Sequence, residues 1–329
     1  MSESFFATFY VALGAVCNAL VLFGIIYLGR FCYKLSFKVN VEDEITNKRN
    51  PAMGVALAGF LIGLAIAASS GFTAQGTSIN KALMVAGIGV ASIILMRFSL
   101  LINDKVILRK HDNLFEIVQH RNLGVAFIEA GGNIATGLMI NGVMSGKADS
   151  LSEKILYGLL YFVIGQGCLI IAAQVYAPTC GLSLDSDLDH NNTAAGLSYG
   201  AFLASVGLII QAAFDGISTD VPAEIATIIV FMGTGLVLLI GGKWLLDKVL
   251  VSSKSISSEI HDDENVGAGA LSAGGYICIA IIFAASIAPA NTVAAFSDMI
   301  HDEPQIYLPL DTVSSNGNAS ATISPLMLR

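Results

Sequence analysis

Charge is what this chain is short of. Only 13% of its residues are Asp, Glu, Lys or Arg, against about a quarter in a soluble domain. So little charge cannot clothe a water-facing surface, which excludes an ordinary soluble domain. Cysteine is also scarce. The five residues Cys17, Cys32, Cys168, Cys180 and Cys278 are odd in number, lie in or beside apolar runs and show no CxxC spacing. Neither a disulfide framework nor a zinc site is expected. No Ser/His/Asp set, HExxH or pair of catalytic carboxylates is found on the helices, so no enzyme and no cofactor is expected. His261-Asp262-Asp263-Glu264 and His301-Asp302-Glu303 are adjacent rather than one helical turn apart, which argues against a metal site. The formal net charge of −8 comes with no basic patch carrying interleaved aromatics, so no nucleic-acid partner is expected.

What is present is apolar length. Hydrophobic residues make up 54% of the chain, Gly contributes 33 residues, and the mean hydropathy is +0.71. The apolar residues fall in eight blocks, at 6–29, 51–72, 82–102, 123–143, 155–177, 194–214, 225–246 and 266–288. Blocks of roughly 20 residues span a hydrocarbon core of about 30 Å, and in lipid the backbone must satisfy itself, as a helix does. The first block has no basic flank and no clear cleavage site, and reads as a retained helix. Lys and Arg number thirteen in the odd-numbered connections and four on the other side. The positive-inside bias then predicts a bacterial inner-membrane protein with both termini in the periplasm.

The chain repeats itself. Asn50-Pro51-Ala52-Met53-Gly54 returns as Asn192-Thr193-Ala194-Ala195-Gly196, at an offset of 142. Glu116-Ile117-x4-Asn122-Leu123-Gly124 returns as Glu259-Ile260-x4-Asn265-Val266-Gly267, at 143. The duplication is nested: Glu44-Ile45 before Asn50 matches Glu116-Ile117 before Asn122, 72 residues on. The unit is a helix pair used four times. Such a repeat must be identified before anything else is assigned. Two helices per unit keep all copies in one orientation, predicting parallel repeats about an axis along the membrane normal. The expected organisation is a four-helix repeat over 1–147, a second over 148–290 and a polar tail over 291–329. Asn50, Asn122, Asn192 and Asn265 read as helix N-caps. Small residues one turn apart, among them Gly54, Gly131, Gly132, Gly196, Gly274 and Gly275, read as helix-packing faces.

Ionisable groups inside the membrane are costly and mark function. Arg97 and Glu129 each lie seven residues from a cytoplasmic-edge marker, at similar depth on consecutive helices. Their counterparts in the second half are Ile240 and Ser272, so both charges are missing there together. An Arg97–Glu129 ion pair is the expectation. The alternative is that Arg97 reaches to the interface while Glu129 is protonated or bonds Asn133. Asn18, Asn133, Gln166 and Asp215 are candidates for a polar path, with interhelical bonding as the plainer reading. Asp215, Asp220 and Glu224 could form an acidic vestibule.

Asp43-Glu44-Ile45-x4-Asn50-Pro51-Ala52-x-Gly54, Arg121-Asn122-Leu123 and Ala130-Gly131-Gly132 together resemble the uncharacterised bacterial membrane family called domain of unknown function 350, over about residues 5–290. The second half departs from the pattern at Thr193 and at the shortened Asp187-Leu188-x3-Asn192 spacing. The resemblance implies an all-α, multi-pass inner-membrane protein with tandem four-helix units, and it suggests a role in a membrane complex. It carries over no functional residue. Two functions are open: a small channel or transporter with its path along the pseudo-twofold axis, and a non-catalytic scaffold presenting segments 34–49, 103–121 and 247–264 to cytoplasmic protein partners. The lipid bilayer is the partner in either case, and a homo-oligomer is allowed.

Overall fold

Four short surface helices each hand the chain to a long apolar one, and this repeated step organises the computed structural model. The structure describes residues 2–37, 39–73, 78–107, 112–145, 151–180, 184–214, 221–250 and 255–287. The chain divides into a unit of Met1–Ala290 and a second over 291–329. That second segment lies outside the described residues, as do Asp215 and Asp220 of the expected vestibule.

In chain order the helices are α1 (Ser2–Phe37), α2 (Val41–Thr46), α3 (Pro51–Ser69), α4 (Ser78–Ile102), α5 (Asn113–Phe115), α6 (Leu123–Ser145), α7 (Leu151–Cys180), α8 (Leu184–Asp189), α9 (Thr193–Ala213), α10 (Val221–Leu250), α11 (Ile256–His261) and α12 (Val266–Ile287). Eight of these are long and apolar enough to cross a membrane. The protein is an all-α, polytopic membrane protein of two parallel four-helix repeats. A wide turn over Asn103–Ile107 extends α4, and α5 runs into a second wide turn over Glu116–His120.

The second helix of every pair lies in an inner row, α3 against α6, α6 against α9 and α9 against α12. The first helices, α1, α4, α7 and α10, pack on this row from outside. Burial follows the arrangement: 78% of the spanning window of α6 is buried but only 6% of that of α1. Glycine lets the row close. A Cβ at Gly131 would strike the backbone of Gly200, one at Gly196 the backbone of Gly124, and one at Gly137 the backbone of Gly63. Lipid tails are as apolar as the helices, so dispersion at this close range replaces the hydrophobic effect as the force of association. Gly275 packs instead on Leu246 of α10, and Gly132 is buried within α6.

Two expectations are corrected. Gly54 and Gly274 do not serve packing within the chain, because a Cβ at either would meet nothing within 4 Å. Both lie on end helices of the row, where the neighbouring unit is missing. Nor do the halves turn about a central axis. Each core helix meets the next in the same way, so the step from half to half is a progression along the row. The seam where a central path would run is the glycine contact of α6 with α9.

The caps hold the units together as well as starting the helices. Asn50, Asn122 and Asn192 accept a hydrogen bond from the backbone three residues on, and Asn265 accepts from Gly267 and Ala268. The other end of each amide then reaches the next unit. Asn50 Nδ2 donates to the carbonyl of Ile117 at 2.9 Å, Asn122 to Leu188 at 2.7 Å and Asn192 to Ile260 at 2.8 Å. The residue before every cap is left-handed: Arg49, Arg121, Asn191 and Glu264 have φ of 49–58°. Non-glycine residues held there cost roughly 1 kcal/mol or more, and the strain is offset by the bonds that the turn makes possible. The backbone N–H of Asn50, Asn122 and Asn265 closes the turn on the carbonyl six residues back, and that of Asn192 on the carbonyl five back.

The surface helices carry the charge. Glu44, Glu116 and Glu259 each accept from the Asn of their own unit. Lys48 bonds Glu44 at 2.6 Å, and this bond raises the lysine pKa. The third unit, one residue shorter, differs. Its Asp187 takes Nδ1 of His261 of the fourth unit at 2.5 Å. Burial raises the Asp187 carboxyl above its usual range, and the His261 bond partly opposes this.

Asn122→Ala removes a cap and leaves the buried Leu188 carbonyl unpaired, so a loss of about 2–4 kcal/mol is expected. Asn265→Ala removes a cap alone, and about 1 kcal/mol is expected. Thermal melting in detergent distinguishes the two. An acid with a raised folded-state pKa loses folded stability as pH rises from its unfolded value, near 3.9 for Asp, through the folded one. Wild type should therefore lose stability relative to Asp187→Asn as pH climbs through that window, read from paired melting curves.

Candidate functional site

Glu129 sits on the inward face of α6 and is 1% exposed. Its partner is neither Arg97 nor Asn133. The hydroxyl of Tyr33, itself fully buried on α1, donates to Glu129 Oε1 at 3.0 Å. Phe60 of α3 supports the Tyr33 ring, with centroids 5.0 Å apart. Among the described residues no ion pair joins Arg97 to Glu129, which corrects the expected pair. Equal depth did not imply equal azimuth. Ser92, Met96 and Ser99 make the buried stripe of α4, and Arg97 is turned about 100° from Met96. It lines a cleft of about 330 Å³ with Cys32, Leu35 and Phe98 instead.

Glu129, Asn133 and Thr136 share one face of α6, being four and three residues apart. Asn133 is fully buried, and neither its amide nitrogen nor its carbonyl oxygen has a hydrogen-bond partner. One turn further, the Thr136 and Ser99 hydroxyls lie 2.6 Å apart, and Gln166 Nε2 of α7 donates to Ser99 at 3.2 Å. Beyond them Asn141 donates to the Ile66 carbonyl at 2.8 Å and accepts from Gln211 at 2.6 Å. At 1.5 Å per residue, Glu129 to Thr136 covers about 10 Å of the membrane, and Asn141 is turned about 140° from this face, toward α3 and α9. Of the path candidates, Asn133 and Gln166 belong to this stripe. Asn18 stands apart on α1 with a buried, unpaired carbonyl oxygen, and Asp215 lies outside the described residues.

The second half fills the equivalent volume. Tyr176, the repeat counterpart of Tyr33, bonds Ser198, which bonds Ser272, the counterpart of Glu129. Tyr176, Tyr199, Phe202 and Tyr276 form a cluster of rings with Tyr176 at 4.5–6.0 Å from the other three. In the first half the positions of Tyr199 and Tyr276 hold Leu57 and Asn133. Two rings are replaced, one by a carboxamide, and a serine by a carboxylate. The Tyr33/Tyr176 match, at the same 143-residue offset, was the available signal for the missed partner of Glu129.

A row of parallel, glycine-packed helices built from tandem pairs defines an integral multi-pass membrane protein of repeat construction. A model of the family described as Domain of Unknown Function (DUF350) matches residues 5–144 and again 150–287, and the chain belongs to that family. It is similar to a UPF0719 transmembrane protein of Aquifex aeolicus (strain VF5), 22% identical over 270 residues that make up 80% of this chain and 96% of that one. No solved structure matches.

Residues in contact couple by roughly 0.5–3 kcal/mol, and separated ones add. Double-mutant cycles should therefore show coupling between Tyr33→Phe and Glu129→Gln and near-additivity between Arg97→Leu and Glu129→Leu, measured by chemical or thermal unfolding in detergent.

Proposed function

We propose that the protein carries protons or small monovalent cations across a bacterial inner membrane, with Glu129 as the binding group. The observation that carries this reading is the buried carboxyl beside a fully buried carboxamide whose polar atoms are unpaired. Unsatisfied buried groups in a native fold call for a ligand, a water or a functional strain, and intramembrane carboxyls mark ion and proton pathways. The polar face of α6 runs from Glu129 through Asn133 to Thr136, where Ser99 and Gln166 join it, and offers oxygen ligands over that length. The second half, with rings and serines at the same positions, supplies support and no second binding group. Backbone contact along the α6–α9 seam favours a carrier over an open pore. That same closed seam also favours a second reading, a membrane scaffold without transport that offers the short helices α2, α5, α8 and α11 to protein partners.

The test is flux into vesicles reconstituted with purified protein and loaded with a dye selective for the ion under test, under imposed proton, sodium or potassium gradients. Wild type should dissipate one of these gradients, and Glu129→Gln should lose the activity while melting as a folded protein. Absence of flux with all three ions, or equal flux from Glu129→Gln, overturns the carrier reading and leaves the scaffold.

A further inference from the structure

The inner row is built from one interface used three times, and its two ends hold the unused halves. Counted from the Asn cap, position 9 of one core helix meets position 8 of the next: Gly59 meets Ala130, and Gly131 meets Gly200. Position 4 meets position 2 of the preceding helix, as Gly196 meets Gly124 and Gly269 meets Ala194. Position 15 meets position 13, as Gly137 meets Gly63 and Gly207 meets Ala135.

At the ends the same positions are open. Position 9 of α12 is Gly274 and position 4 of α3 is Gly54, and a Cβ on either meets nothing within 4 Å. Ala58 at position 8 of α3 is exposed, while its equivalents Ala130, Gly200 and Ala273 are buried. Cys278 at position 13 of α12 is exposed, while its equivalents Gly63, Ala135 and Ser205 are buried. A polar signal agrees and is independent of the small residues. The amides of Asn50, Asn122 and Asn192 bond the following unit, whereas among the described residues that of Asn265 donates only to Glu259 of its own, a bond that Asn50 and Asn122 make as well. The carbonyl that would receive it, five residues before the first cap as Ile117 and Ile260 are before theirs, is that of Ile45.

We propose that the open face of α12 docks on the open face of α3 of a second copy of this chain, continuing the row from molecule to molecule. The two faces are the complementary halves of an interface the chain already makes, and α6 and α9 stand between them within one molecule. The contact is head-to-tail, so it propagates into a closed ring or an open chain of copies. Gly274 lies on Ala58 of the neighbour, Cys278 on Ala65, and Asn265 donates to the neighbour's Ile45 carbonyl.

The experiment uses the full chain with Cys17, Cys32, Cys168 and Cys180 replaced by Ser, Cys278 kept and Ala65→Cys added, oxidised in native membranes with copper phenanthroline. Disulfide-linked dimers and larger species are expected, and they should vanish with Cys278→Ala or Gly274→Leu. Open space at Gly54 and Gly274 means that Leu there leaves the single chain folded, which melting verifies. Purified Gly54→Leu and Gly274→Leu should then have the native mass of one chain where wild type shows several. A wild type of single-chain mass, a link formed only within one chain, cover of the face by the chain's own 288–329 segment, or cross-links that survive Gly274→Leu each overturn the proposal.

Discussion

Everything in this structure depends on how closely parallel helices can approach in a solvent that does not drive them together. Water would press apolar faces against one another, but lipid does not, and association rests on contact area at short range. Gly131 against Gly200 and Gly196 against Gly124 bring α6 and α9 to backbone contact. Such contact leaves no room for side chains at the seam. All larger groups are therefore displaced to the flanks of the row, where the outer helices meet them. The asparagine caps add directional bonds at one edge, setting the register of each helix against the next.

The position of the polar residues follows from this geometry. The polar side chains on one face of α6 point into the groove under α1 and α4 or under α7, while Asn141 bridges α3 and α9. Glu129 enters the first groove and meets Tyr33, and Thr136 reaches Ser99 and Gln166. The same grooves recur in the second half, where Tyr176 with Phe202 and Tyr276 fills them. Duplication thus supplied two equivalent chambers, one packed with rings and one lined with a carboxyl and a carboxamide.

The eight spans, the nested repeat and the four caps were legible because each rests on local pattern: run length, a fixed offset, and an Asn ahead of an apolar run. The links between units were not. Asn50 reads as a cap from its neighbours in sequence, but its bond to Ile117 spans 67 residues and depends on the packing of α3 on α6. The Arg97–Glu129 expectation failed for the same reason. Depth along a helix can be counted from an edge, whereas azimuth depends on which face a neighbour covers. Gly54 and Gly274 show a third limit, since a packing motif states that a face can be covered and not that one chain covers it. Tyr33 was within reach, because the 143-residue offset maps it on Tyr176.

The direction of the asparagine bonds bears on how the molecule is made. Each amide points toward a carbonyl that leaves the ribosome later, from Asn50 to Ile117, Asn122 to Leu188 and Asn192 to Ile260. Were the pairs to insert in chain order, each would hold its donor in place before the carbonyl that takes it had been made.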